Sequence, residues 1–333
     1  MTILVTGGAG YIGSHMVLAL CEAGERVVVL DNLSTGFAWA IDPRATLVVG
    51  DMGDQALVET VMRENDVEAI IHFAAKIVVP DSVADPLGYY LSNTVKTRTV
   101  IAAAVASGVK HMIFSSTAAV YGTPAVPLVT EEVETRPESP YGTSKLITEW
   151  MLRDAAAAHP LTYAVLRYFN VAGADPSGRT GQSTPNATHL IKVAIQTAMG
   201  LRPKMDVFGT DYPTPDGTCL RDYIHVTDLV SAHAVALKHL RGGGENITLN
   251  CGYGTGNSVK EVIDTVRAVT GVNFRADYAP RRPGDAAAVV ADSTKLKTRL
   301  GWVPMHAHLP GIVEDAYRWE RRLANGTMRL PRG

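Results

Sequence analysis

The chain has 333 residues, 46% of them apolar and 19% charged, with a formal net charge of -2. That length suits a large core and two lobes, and the near-neutral charge gives no electrostatic case for a nucleic-acid or anionic-membrane partner. Cys21, Cys219 and Cys251 lie far apart and fit neither a disulfide framework nor a zinc site, so a reducing compartment is expected.

Residues 2–14 read TILVTGGAGYIGS. An apolar strand runs into Gly7, Gly10 and Gly13, and a helical face of Ile12, Met16, Ala19 and Leu20 begins at once. Glycines at these positions permit a tight turn and close approach to a diphosphate, to which the helix N-terminus offers N–H groups and a positive dipole end. The spacing is G-x-x-G-x-x-G rather than G-x-G-x-x-G. Alone it also describes a ligand-free turn, but its position, its flanks and a later acid favour a dinucleotide. A strand opening at residue 2 leaves no room for a signal peptide, and no apolar run is long enough to span a bilayer, so a cytoplasmic protein is expected.

A second strand over 27–30 ends at Asp31, 18 residues after Gly13. A carboxylate at that distance takes both ribose hydroxyls and repels a 2′-phosphate, which favours NAD over NADP. A third strand over 47–50 precedes Asp51, placed to accept from an adenine amino group or to cap a helix, and Met52, which can pack on the ring. A fourth over 69–73 leads into Ala74 and Ala75, small enough for a cofactor to approach. A long helix is predicted over 86–107, a fifth strand over 112–115, a helix over 141–158 entered through Ser139-Pro140, and a sixth strand over 163–166. This alternation predicts an α/β fold with a Rossmann-type doubly wound parallel sheet and ligands at the carboxyl ends of its strands. From 171 the rhythm breaks. Residues 173–186 read as a loop, and helical patterns near 188–199, 227–240, 258–270 and 310–324 predict a smaller C-terminal α/β lobe. The expected division is an NAD-binding domain over 1–170, to which segments near 211–235 return, and a substrate lobe over 171–333.

Three pieces carry chemistry together. The fifth strand ends in Ser115-Ser116-Thr117, and Tyr141 and Lys145, four apart, share one face of the next helix. A free Tyr has a pKa of about 10 and is a poor base at pH 7; bringing it to neutrality takes roughly 4 kcal/mol of differential stabilisation. A nearby ammonium and an oxidised nicotinamide would both supply it. The Thr117 hydroxyl is placed to bridge a substrate alcohol and the Tyr oxygen, which suits proton removal while hydride leaves the same carbon. A Y-x-x-x-K pair alone also describes a surface Tyr and a solvated Lys, and the Rossmann-type start makes the difference.

At this point the chain resembles the extended short-chain dehydrogenase/reductase family, most closely its UDP-glucose (UDP-galactose) 4-epimerase group. The likeness covers nearly the whole chain. It rests on TGGAGYIGSH (6–15), DNLSTG (31–36), HFAA (72–75), FSSTAAVYG (114–122), SPYGTSK (139–145), LRYFNVAGADPSG (166–178), DYPTPDGTCLRDYIHVTDL (211–229) and APRRPGD (279–285). The resemblance implies that Tyr141 is the base, that Lys145 tunes it and binds the nicotinamide ribose, and that Thr117, where Ser is usual, is the hydroxyl partner. Gly7, Gly10, Tyr11, Ile12 and Gly13 match cofactor contacts, as do Asp31, Asn32, Ser34, Thr35, Gly36, Asp51, Met52, Phe73, Ala74, Ala75, Ser92 and Tyr168. Contacts to a UDP-sugar match Thr117, Tyr141, Asn170, His189, Leu190, Arg221, Arg282, Asp285 and Val289. Two arginines suit a diphosphate through forked donors. Ser92 stands where the family usually has Asn, with Asn93 after it. Ile77 replaces a Lys beside Lys76, and Pro80-Asp81 replaces Gly-Glu.

The implied activity is an isomerase reaction, C4 epimerisation through a transient 4-keto sugar, with NAD recycled in place. The alternatives are a UDP-pentose 4-epimerase, a 4,6-dehydratase or decarboxylase, a net dehydrogenase, and a cofactor-binding regulator without turnover. Ala118 and Ala119 follow Thr117 where a dehydratase needs an acid, which favours simple epimerisation, and the retained Tyr and Lys argue against a regulator. Val289 is small enough to leave room for a 2-N-acetyl group. His72, His189, His225 and His233 show no metal spacing; His72 and His225 are expected to pack near strand ends. In the family the helices near 86–107 and 143–158 pair with their copies in a four-helix interface, so a homodimer is expected.

Overall fold

The computed structural model describes residues 1–185, 187–282 and 285–326. Asn186, Pro283 and Gly284, which fall within the 173–186 loop and the APRRPGD stretch, lie outside the described residues, as do 327–333. The first lobe opens with β1 (Thr2–Thr6), α1 (Tyr11–Glu22), β2 (Arg26–Asp31), β3 (Thr46–Val49), α2 (Gln55–Glu64) and β4 (Val67–His72). It continues through α3 (Val79–Ala84), α4 (Pro86–Tyr89), a π-helical turn (Tyr90–Val95), α5 (Lys96–Ala106), β5 (His111–Thr117), β6 (Leu128–Val129), α6 (Pro140–Ala158) and β7 (Thr162–Tyr168). The remaining elements are β8 (Asn170–Ala172), α7 (Leu190–Ala198), β9 (Met205–Phe208), β10 (Leu220–His225), α8 (Val226–Arg241), β11 (Ile247–Cys251), β12 (Gly256–Ser258), α9 (Val259–Thr270), β13 (Ala276–Ala279), β14 (Ala288–Ala291), α10 (Thr294–Leu300) and α11 (Leu309–Ala324).

Seven parallel strands form one sheet in the order β11-β7-β5-β4-β1-β2-β3. Continuous apolar runs such as Val27–Leu30 suit a sheet covered on both faces, where alternation has no solvent side to satisfy. One face packs Val5, Met16 and Val17 with Leu229, Ala236 and Leu237 of α8. The other packs Leu4, Val28 and Ile70 with Val58, Val100 and Leu152. The order reverses between β1 and β4, and the crevice outside their carboxyl ends is where ligands bind in such sheets.

The return to this sheet runs through α8, which begins within the stretch near 211–235, and β11, which follows it, while β10 pairs with strands of the second lobe. There β10 pairs with β12, β14 and β8, β9 pairs with β13, and α7, α9 and α11 close a separate core around Ile195, Val262 and Val313. A second difference lies at 86–107. The predicted helix is interrupted by the π turn, and α3 precedes it unannounced. The face of this helical stretch and of α6 also carries exposed apolar side chains: Leu87 is 79% exposed, Leu91 53%, Val95 52% and Trp150 47%.

Candidate active site

The glycine loop is built by collision limits. Gly7 has a φ of +71°, and a Cβ there would lie 2.6 Å from the Ala74 nitrogen; a Cβ on Gly13 would lie 2.1 Å from the Gly7 oxygen. These two glycines let the loops after β1 and β4 touch and let α1 start against the turn. Gly10 caps α1 with extended backbone and no side-chain hydrogen bond. The first-turn N–H groups of Tyr11, Ile12 and Gly13 therefore have no acceptor within the helix and face the crevice, the arrangement that holds a diphosphate. That cradle, which a methyl group would fill, fits a dinucleotide.

Asp31 ends β2 with its carboxylate buried. Oδ2 accepts from the Ala9 N–H at 2.9 Å and Oδ1 from the Leu33 N–H at 2.8 Å. Each oxygen keeps a lone pair for a ribose diol. Asn32 closes a turn by accepting from the Ser34 N–H, which leaves Ser34 and Thr35 exposed, while Gly36 packs on Ala9. Two other expected cofactor residues carry structural duties here. Asp51 is ion-paired with Lys96 and accepts from the Gly53 N–H at 2.7 Å, with Met52 buried beside it. Tyr11 donates its hydroxyl to the Gly173 carbonyl at 2.7 Å, tying the loop after β8 to α1.

Ser92 is half-buried, and it is Asn93 that the π turn drives inward. Its carboxamide pairs with both backbone groups of Lys76, at 2.8 and 2.9 Å, and donates to Ser144 Oγ at 3.1 Å. Ser144 in turn donates to the Tyr141 carbonyl. Phe73, Ala74 and Ala75 are thereby held against the helix that carries Tyr141. Within the π turn it is Asn93 that is buried and joins the loop after β4 to α6, while Ser92 is partly exposed.

Ser139 caps α6 from outside, with Pro140 at its first position, so Tyr141 and Lys145 lie on the first turns facing β5. Both side chains are buried. Burial pushes the Tyr141 hydroxyl up to about 12, against the hydrogen bond to Thr117. Burial pushes the Lys145 amine down to about 7, against the charge of Glu149. Lys145 donates to the Ser115 carbonyl at 3.0 Å. The two groups stand one turn apart on one helical face, so an ammonium at Lys145 would favour a phenolate at Tyr141. Thr117 Oγ1 also accepts from the Ala119 N–H at 3.1 Å, which fixes its rotamer. Tyr168 sits opposite Thr117 on β7 and shares a hydrogen bond with Ser115, whose hydroxyl faces Nε2 of buried His233 at 3.1 Å.

On the second lobe, Arg221 of β10 lies opposite Val289 of β14. Its guanidinium donates to the carbonyls of Leu220 and Ala286 at 2.9 and 2.8 Å and lies 3.6 Å from Asp285, which Arg282 also engages at 2.9 Å. Arg282 stacks over Phe208 and remains exposed. The three are thus brought together, two cations around one carboxylate. Val289 packs beside Tyr121 and Leu146, next to the strand-end cluster. Asn170 is exposed at the start of β8. His189 and Leu190 open α7, where Nδ1 of His189 lies 3.5 Å from the Gln182 amide.

The histidines have other partners. His72 is held between the hydroxyls of Thr6 and Thr97, and burial pushes it down to about 3. His225, His306 and Asp315 bring one ligand atom each within 4.8 Å of the others. Nδ1 of His225 already accepts from the Thr227 N–H at 3.1 Å, so its proton sits on Nε2, 3.3 Å from Asp315. His225 is buried and stacks on His306, while His306 and Asp315 are only partly buried, and His225 Nε2 has no hydrogen-bond partner among the described residues.

The strand ends define the class: a dinucleotide-dependent enzyme of the short-chain dehydrogenase/reductase type, with Tyr141 and Lys145 buried on one helical face beside Thr117. Within it the chain belongs to the NAD dependent epimerase/dehydratase family, whose sequence model matches residues 3–252. A UDP-glucose 4-epimerase of Azospirillum brasilense is 55% identical over 321 residues, 96% of this chain and 92% of that one. A crystal structure of a UDP-glucose 4-epimerase superposes with a TM-score of 0.96 at 46% identity, covering 99% of this chain and 100% of the other. A UDP-glucose 4-epimerase from Stenotrophomonas maltophila, with bound NAD and formylated UDP-arabinopyranose, superposes with a TM-score of 0.94 at 39% identity, over 98% and 99% of the two chains.

Proposed function

We infer that this protein interconverts C4 epimers of a UDP-sugar, with UDP-glucose and UDP-galactose as the first pair. The observation that carries the reading is the buried Tyr141–Lys145 pair facing Thr117 at the end of β5, beside a glycine cradle and Asp31. Tyr141 takes the proton of the sugar 4-hydroxyl and later returns it, Lys145 balances the phenolate charge, and Thr117 orients the alcohol. NAD held by the glycine loop and Asp31 would supply the hydride acceptor and then the hydride donor. Arg221 and Arg282 hold the diphosphate while the 4-keto sugar turns its other face. Burial around Tyr141 excludes water, which protects the keto sugar. Ala118 and Ala119 give no acid for loss of water from C5 and C6, which favours epimerisation over dehydration.

The test is a panel of UDP-hexoses, UDP-N-acetylhexosamines and UDP-arabinose given to purified protein with no NAD added. C4 epimers are the expected products. Accumulation of NADH, or of a dehydrated sugar, would sink the reading. Val289 leaves the sugar wall small, so kcat/KM for UDP-galactose should exceed that for UDP-N-acetylgalactosamine by less than about 10⁴.

The exposed Leu87, Leu91, Val95 and Trp150 form an apolar face that suits a copy of itself. We place a homodimer there through the 86–106 and 140–158 helices; a monomer by light scattering at micromolar concentration counts against it. The three cysteines are free and buried, and no helix among the described residues is long and apolar enough to cross a membrane. Both agree with a cytoplasmic setting.

A further inference from the structure

Tyr141, Lys145 and Glu149 repeat every four residues along α6, so they form one stripe facing the end of β5. Consecutive strand residues hold them: Thr117 faces Tyr141, the Ser115 carbonyl takes Lys145, and the Ser116 hydroxyl donates to Glu149 Oε1. Side chains alternate along a strand, so Ser115 Oγ faces His233 on one side of the sheet while Ser116 Oγ faces Glu149 on the other. Glu149 is itself gripped by Arg167 of β7 through Nε at 3.0 and 3.2 Å and Nη2 at 2.6 Å. Arg167 also donates to the Tyr121 hydroxyl at 2.9 Å, which donates to Asn250 Oδ1 at 2.8 Å. The Asn250 amide donates to the Val129 carbonyl at 2.8 Å. All of these side chains are buried. The network joins α6, three sheet strands and the segment after Thr117.

We propose that Glu149 is a positioning residue of the reaction: its carboxylate, held by Ser116 and Arg167, fixes α6 against the strand end and holds Lys145 as the ammonium that a Tyr141 phenolate needs. Lys145 is buried; its ammonium donates to the Ser115 carbonyl and lies 5.0 Å from the centre of the Phe114 ring, which stacks on His72. The carboxylate one turn away on the same face is what offsets the cost of burying that ammonium, and it acts in that sense on Lys145. Arg167 fixes the carboxylate in place with a planar fork. Substrate and cofactor need not touch Glu149 for this role.

The inference rests on the epimerase reading, and its test separates the two. In Glu149→Gln the ammonium loses its offsetting charge. The proton then moves toward Tyr141, so the plateau of kcat should fall about 10-fold or more. The acid limb of the pH profile should move to lower pH, because Lys145 gives up its extra proton more readily. KM for the UDP-sugar should stay within about threefold. A purely structural role would lower Tm while leaving the limb in place. Glu149→Gln/Arg167→Gln removes the carboxylate without leaving Arg167 unpaired; it is the second variant should the single one not fold, with the same expected result. A folded variant that keeps both wild-type kcat and the wild-type limb overturns the inference alone. A wild-type protein with no turnover on any UDP-sugar overturns the functional reading and this inference with it.

Discussion

Tyr141→Phe should lower kcat by about 10³-fold or more, with the protein still folded and still loaded with NAD. The ring keeps its packing, and only the hydroxyl shared with Thr117 is lost. Without that oxygen the acceptor beside Thr117 is gone, and Lys145 is engaged by the Ser115 carbonyl. The pH profile of the wild type follows from the same pair. Lowering the pH through about 7 puts a second proton on it, giving phenol with ammonium and no base. Activity should therefore fall on the acid side. Lys145→Met should move that limb far to the alkaline side, because a lone buried Tyr141 loses its proton only near 12. A Tyr141→Phe protein with near wild-type turnover would show that another group is the base.

Gly13→Ala should abolish NAD retention. The added carbon would sit 2.1 Å from the Gly7 oxygen and 2.8 Å from the Gly8 Cα, both main-chain atoms of the cradle. Neither can yield without opening the turn that Gly7 makes against Ala74. A loss of stability above about 3 kcal/mol is expected, at the upper end of overpacking effects. Denaturation of the purified variant should release no NAD by chromatography. Gly311→Ala is the control: it lies in α11 with nothing within 4 Å of the added carbon, and should be neutral or stabilising by up to about 1 kcal/mol. Bound NAD in Gly13→Ala at the wild-type ratio would show that the cradle is looser than its geometry.

The dinucleotide end of the site was legible because its constraints are local. Gly7, Gly10 and Gly13 sit within two turns of one another, Asp31 ends the adjacent strand, and Tyr141 and Lys145 are one helical turn apart. Asn93 was not legible as the inward residue. A π turn adds one residue to a helical face, and nothing in the Val- and Ala-rich pattern over 86–107 signals where it falls. Asp51 offered an adenine contact or a helix cap; its pairing with Lys96 depends on two helices meeting. Arg221, Arg282 and Asp285 could be named from the motifs that contain them, but not that Asp285 serves both arginines, nor which carbonyls hold Arg221.

The sequence alone determined which residue types stand at which intervals, and intervals of three, four and two decide faces of helices and strands. They were enough for the alternating α/β order, the glycine turn, the acid at the end of β2 and the Tyr141–Lys145 face. Tertiary structure alone decided what meets across the sheet. It brought β11 back beside β7, set Thr117 opposite Tyr168, placed Ser116 on Glu149, and turned Ser115 toward His233. Those contacts join residues 33 to 118 positions apart. Sequence spacing carries no information about such pairs, because their partners are chosen by strand order and by the direction in which each side chain leaves the sheet.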